Sequence, residues 1–115
     1  MGRDLGVVRL NMKNMVGYSR KEFAEYKRSG DVVLLQQAGE KLFSAVENYI
    51  SLKFDVAIIS FYDAKSLVNK DKKWRDLLYD ARDLHKFFYN GEGEMSLERA
   101  EKLYNSVLGR LLRVM

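Results

Sequence analysis

Not one of the 115 residues is proline. Proline removes a backbone donor and clashes with the preceding turn, so without it helices run for as long as their apolar pattern lasts. Glycine then becomes the main punctuation. Apolar side chains at Leu5, Val8, Met12, Met15, Val16, Phe23 and Tyr26 recur in steps of three and four, which predicts a first helix from about residue 5 or 8 to Arg28. Ser19 and Glu22 have the spacing of a capping box, but the stripe crosses them in phase, so one continuous helix is expected. In "RSGD", Gly30 suits the left-handed residue that ends a helix and Asp31 the N-cap of the next. A connection that short makes the two helices antiparallel neighbours.

The second helix carries Leu35, Ala38, Leu42, Ala45, Val46, Tyr49 and Leu52 on one side. "FDVAIISFY", residues 54–62, is β-branched enough for a strand but has no strand partner, so it is read as a buried connector or a short helical turn. Asp63 is expected to open a short helix through "AKSLVNK". From about Asp71 to Tyr89 the stripe returns with Trp74, Leu77, Leu78, Ala81, Leu84, His85 and Phe88, and Gly91 and Gly93 end it. Ser96 then caps a last helix bearing Ala100, Leu103, Tyr104, Val107, Leu108, Leu111 and Leu112. The expectation is an all-α single domain over residues 1–115, with four main helices and a short one.

Composition narrows the chemistry. The chain has no cysteine and one histidine, which excludes disulfides and thiolate sites and leaves too few ligands for zinc, so neither metal nor cofactor is expected. No apolar run nears the roughly 20 residues that cross a bilayer, and "MGRDLGVVRL" lacks the pattern of a signal peptide, so a cytoplasmic protein is expected. Charge is lopsided: residues 1–28 hold seven basic against three acidic side chains, which equals the formal net charge of +4. A second basic knot is "KDKKWR", with Lys70, Lys72, Lys73, Trp74 and Arg75. Such clusters attract nucleic acid or an acidic protein partner, or are simply solvated helix faces.

The run "AEYKRSGDVVLLQQAGEKLFSAVENYI", then "LHKFFYNGE" and an amphipathic C-terminal helix, resembles the PaREP family of archaeal proteins, which are HEPN-like helical bundles. Gly30 and Asp31 match that family's "GD", and Ala38, Glu40, Lys41, Phe43 and Ala45 match its "A-x-EK-x-W-x-A" with Phe for Trp. Leu84, His85, Phe88 and Tyr89 match its "LH-x-NFYE", with Phe87 in the asparagine slot and Asn90 in the glutamate slot. The resemblance covers roughly residues 10 to 112 and implies an up-and-down HEPN-like bundle that often dimerises. It also implies a superfamily rich in ribonucleases and in partners of nucleotidyltransferases in toxin–antitoxin pairs. HEPN nucleases place an arginine four to six intervening residues before a histidine. Before His85 those positions are Leu78, Tyr79 and Asp80, so the motif is absent.

Metal-independent RNA cleavage needs a base for the 2′-hydroxyl and a cation for the phosphorane, and Arg82, His85 and Tyr89 at helical spacing are the candidate catalytic set. Across a twofold axis they would form a composite cleft. The competing reading makes His85, on the stripe with Ala81, Leu84 and Phe88, a structural residue. Surplus apolar residues at Phe87 and in "LLRVM", with Leu111, Leu112 and Met115, suggest a self-association surface and a homodimer. The sequence therefore points to a binding or interaction module for a nucleotide, RNA or an acidic protein. An endoribonuclease of toxin–antitoxin type and a structural subunit of a larger complex are the alternatives.

Overall fold

The computed structural model describes residues 5–56, 60–89 and 95–115. Among them run five helices: α1 (Leu5–Ser29), α2 (Val32–Phe54), α3 (Phe61–Val68), α4 (Lys72–Tyr89) and α5 (Leu97–Val114). All are right-handed α-helices and no described residue lies in a strand.

Each helix end has a local cause. Gly30 sits at φ 76°, and its N–H donates to the Tyr26 carbonyl at 2.7 Å, closing α1 in the left-handed cap that glycine adopts without a Cβ clash. Asp31 then accepts from the Val33 N–H at 3.0 Å and opens α2. At the far end of α2, Asp55 takes the left-handed conformation at φ 54° and its N–H reaches the Ser51 carbonyl. The connector thus begins with Phe54 still helical, and Val56 and Tyr62 are exposed rather than buried. Residues 57–59 within it lie outside the described residues. Asp63 does not open α3. Ser60 is the N-cap, and Asp63, three residues on, completes a capping box: Asp63 N–H to Ser60 Oγ at 3.3 Å and Ser60 N–H to Asp63 Oδ2 at 3.1 Å. Asp71 caps α4 through the Lys73 and Trp74 N–H groups, and Ser96 caps α5 through that of Arg99.

Side-chain pairs fix the packing order. Phe23 stacks on Tyr104 and Lys27 pairs with Glu101, so α1 and α5 run antiparallel. Phe43 meets His85 while Tyr49 meets Trp74, so α2 and α4 run antiparallel too. The order α1, α2, α4, α5 is up-down-up-down. Among the described residues α2 is the helix in contact with all four others, and Leu35, Ala38, Leu42, Ala45, Val46 and Ile50 along it are fully buried.

Ser19 and Ser51 are the buried polar side chains among the described residues, and Ser19 is the one that bonds across helices. Its hydroxyl is completely buried in the middle of α1, donates to the Ala38 carbonyl at 2.7 Å and lies 2.7 Å from the Tyr104 hydroxyl. A serine has one hydroxyl proton, so with Ala38 taking it the Tyr104 O–H is the donor to Ser19. The chain of bonds ties α1, α2 and α5 together. Burial pushes the Tyr104 phenol up to about 12.

Replacing Gly30 with Ala is expected to destabilise by about 1 kcal/mol, because the strain is in φ and not in space, whereas Gly17→Ala in mid-helix should stabilise by roughly 0.5–1 kcal/mol. Urea unfolding of both variants checks the opposite signs. Ser19→Ala should cost about 1–3 kcal/mol by leaving the Tyr104 hydroxyl unsatisfied. The Tyr104 phenol favours its neutral form when folded, so its contribution is whole below pH 10 and disappears as pH rises from 10 towards 12. Tyr104→Phe should remove that loss, measured as unfolding free energy against pH beside absorbance at 295 nm.

Candidate functional site

The histidine edge of α4 carries the sharpest chemical reading of the sequence. Arg82 and His85 lie one turn apart on α4. The His85 imidazole stacks on Phe43 of α2 at 4.9 Å between centroids and 27° between planes. Burial lowers its pKa, Arg82 adds to the lowering, and Glu40 opposes it. The Arg82 guanidinium sits over the Phe61 ring at 4.0 Å, a cation–π contact that fastens α3 to α4. Both side chains thus pack between helices. Tyr89 is the last residue of α4, and its side chain, like that of Phe87, lies outside the described residues.

The basic knot is divided by the fold. Lys70, Lys72 and Lys73 are exposed, while Arg75 is half-buried and donates from Nη1 to the Asn69 carbonyl at 3.3 Å. Trp74 is only 5 % exposed, with its ring stacked on Tyr49 at 5.0 Å and 17°. It is a core residue and no platform for a nucleic-acid base, because the α4 stripe turns it inward against α2. Its ring still organises charge: Lys53 Nζ and Lys73 Nζ lie 5.7 and 5.8 Å from its centroid.

The up-down-up-down order brings the start of α1, the end of α2, the start of α4 and the end of α5 to one end of the bundle. A pocket of about 480 Å³ opens there between α1, α2 and α5. Arg9, Lys13 and Lys53 line it together with Met12, Tyr49, Leu52, Val114 and Met115. The Tyr49 hydroxyl donates to the Val114 carbonyl and holds the end of α5 against α2. On the other side of Val114, a hollow of about 170 Å³ is lined by Lys73, Leu77, Arg110 and Arg113. Arg110 is paired with Asp80 at 2.5 Å. Arg9, Lys13, Lys53, Lys73 and Arg113 form no ion pair with the described residues. Among the described residues Asp55, Asp71 and Asp76 are the acids on the adjoining segments, and Asp71 is engaged in capping α4.

The opposite end of the bundle is different. There Lys27–Glu101 at 2.5 Å, Lys102–Glu98 at 3.2 Å and Arg28–Glu25 are paired, with Lys41–Glu22 nearer mid-bundle, while Lys86 and Arg99 form no ion pair with the described residues. Sequence reasoning found the α1 and α4 basic segments separately. It missed Lys53 and Arg113, and with them the junction between those segments. The signal was present, since antiparallel order alone sends the start of α1 and the end of α2 to the same place.

Leu111 does not belong to a self-association surface: it is fully buried, on the same stripe as Ala100, Tyr104 and Val107. Leu112 and Met115 are exposed, at 40 % and 45 %. Among the described residues no three His, Cys, Asp or Glu side chains are grouped to hold a metal ion, and no helix is long and apolar enough to cross a membrane. No family model, curated protein or solved structure matches the chain.

The His85 geometry yields a pH prediction. A histidine whose folded pKa is lowered contributes stability that is present above the unfolded value, near 6.5, and lost as pH falls through it. His85→Phe, which keeps a ring against Phe43, should lose less stability than the wild type between pH 7.5 and 5.5. Urea unfolding at the two pH values measures the difference.

Proposed function

We propose that the chain is a HEPN-like helical module that binds RNA through its phosphates at the basic end of the bundle, without cleaving it. The single observation that carries this reading is the gathering of cations around the end of α5. Arg9, Lys13, Lys53, Lys73 and Arg113 converge there without an ion pair among the described residues, while Lys27, Lys41 and Lys102 elsewhere in the bundle are paired. Cations left without carboxylates keep their full attraction for phosphate, and neutralising phosphate releases the counterions condensed on the strand. The up-and-down order with a short α3 before α4 agrees with the HEPN-like part of the proposal.

Phosphate contact without an exposed aromatic platform makes for binding with little base preference. An acidic protein would meet the same cations, but its carboxylates are spaced by its own fold, whereas a single strand lays one phosphate after another along a row of cations. The packing of Arg82 on Phe61 and of His85 on Phe43 gives both residues an interhelix role that needs no substrate.

A fluorescein-labelled single-stranded RNA of mixed sequence, titrated in EDTA at several salt concentrations, tests the proposal. Binding should weaken linearly in log–log form. Lys73→Glu with Arg113→Glu should weaken it further and flatten the slope by about 0.7 per lost phosphate contact. Lys102→Glu, at the paired end, should leave it almost unchanged. RNA that stays intact in every lane agrees with the proposal. Cleavage that disappears in His85→Ala contradicts it in favour of a metal-independent ribonuclease.

A further inference from the structure

RNA binding leaves one feature of the basic end without a use. Ten large hydrophobic side chains are exposed among the described residues, and five of them, Val7, Leu10, Val56, Leu112 and Met115, belong to this end. Val7 and Leu10 lie in the first two turns of α1, Leu112 in the last turn of α5 with Met115 just beyond it, and Val56 two residues past the end of α2. At about 1.5 Å of rise per residue, all five fall within about 8 Å of the helix ends that meet here. Single exposed hydrophobes are ordinary, but these share one end of the molecule. A strand of RNA gains little from them, because bases stack on aromatic faces and these side chains are aliphatic.

Charge decides what can cover such a surface. Lys70 and Lys72, where the chain enters α4, join Arg9, Lys13, Lys53, Lys73 and Arg113, and every one of them is exposed. A second copy would bring these cations face to face with their own kind, which opposes self-association at this end. A folded acidic protein would need carboxylates and apolar hollows in matching places. An anionic bilayer offers both in layers, a negative headgroup sheet with hydrocarbon beneath it, and an amphipathic surface sinks about 5–10 Å into that boundary. The depth over which the five aliphatic side chains are spread, with cations around them, fits that layering.

We propose that this end of the bundle docks on the surface of an anionic phospholipid bilayer. Arg9, Lys13, Lys53, Lys73 and Arg113 lie among the headgroups, and Val7, Leu10, Val56, Leu112 and Met115 reach the acyl boundary. The chain lies on the membrane, a mode of attachment that needs no spanning helix. The proposal goes beyond RNA binding and does not rest on it. Both ligands draw on the same cations, so bilayer and RNA exclude one another at this end.

Flotation with unilamellar vesicles of equal parts phosphatidylglycerol and phosphatidylcholine, beside vesicles of phosphatidylcholine alone, tests the proposal. The protein should float with the first and stay behind with the second. Leu10→Ser with Leu112→Ser, both at exposed positions, should weaken vesicle binding about tenfold while circular dichroism and affinity for single-stranded RNA stay unchanged. Lys73→Glu with Arg113→Glu should abolish flotation. Where RNA binds, a saturating amount of it should release the protein from the vesicles. Undiminished flotation of the leucine variant overturns the proposal, since cation adhesion alone then accounts for the binding. Equal flotation with both vesicle types, or flotation that survives saturating RNA, overturns the placement at the basic end. Absence of flotation overturns the proposal whatever RNA does, and a dimer in sedimentation equilibrium that the leucine variant dissolves would then assign the surface to a second copy. Flotation without RNA binding supports the bilayer and overturns the RNA proposal alone.

Discussion

Everything in this bundle hangs on α2 being enclosed. Leu35, Ala38, Leu42, Ala45, Val46 and Ile50 are all fully buried, and the helix is touched by α1, α3, α4 and α5. An enclosed helix has little room for charge, since a buried charge without a partner is costly. The four ionisable cations and acids α2 does carry, Glu40, Lys41, Glu47 and Lys53, sit away from the fully buried stripe. Burial raises the Glu47 carboxyl above its ordinary value, a sign of how tight that surround is. The remaining charge is displaced to the outer faces and ends of the other helices. That displacement turns a packing requirement into a pattern of surface electrostatics.

The enclosure has one polar pin. α1 and α5 reach each other through long side chains, Phe23 stacked on Tyr104 at 4.2 Å and Lys27 on Glu101, and the Ser19 hydroxyl closes the gap between Tyr104 and the Ala38 carbonyl. A buried hydroxyl network is stabilising only when every member is satisfied, and this one is. It also specifies depth. Sliding α1 by one turn along α2 would leave Ser19 and Tyr104 without partners inside a dry core. The same register sets Arg9 and Lys13 beside Lys53, so the placement of the pocket's cations depends on a hydrogen bond in the middle of α1.

Much of the fold was legible because helix signals are local. The three- and four-residue stripe found α1, α4 and α5, and Gly30 with Asp31 marked the hairpin through conformations few other residues share. What local reasoning misread was decided by tertiary partners. Ser60, not Asp63, begins α3, because a capping box needs both residues and the serine was hidden at the end of an apolar run. Ser19, whose capping-box spacing was rightly set aside for one continuous helix, is a core hydrogen-bonding residue, a role its sequence neighbours do not show. Trp74 stood among lysines in sequence and is buried on Tyr49 in space, and Leu111 in "LLRVM" is interior while Leu112 beside it is not. Of the candidate site, the cations Lys70, Lys72 and Lys73 were visible as a cluster. Their convergence with Arg9, Lys13, Lys53 and Arg113 was not, since it depends on which helix ends share one end of the bundle.

The central claim is that charge left unpaired at one end of the bundle is where the ligand binds. Backbone amide shifts of isotopically labelled protein, followed while a short single-stranded RNA is added, locate that surface without a prior choice of variant. The account predicts perturbations at Arg9, Lys13, Lys53, Lys73 and Arg113 and near silence at Lys27, Lys41 and Glu101. Shifts centred on Arg82 and His85, or spread over the paired end, would contradict it.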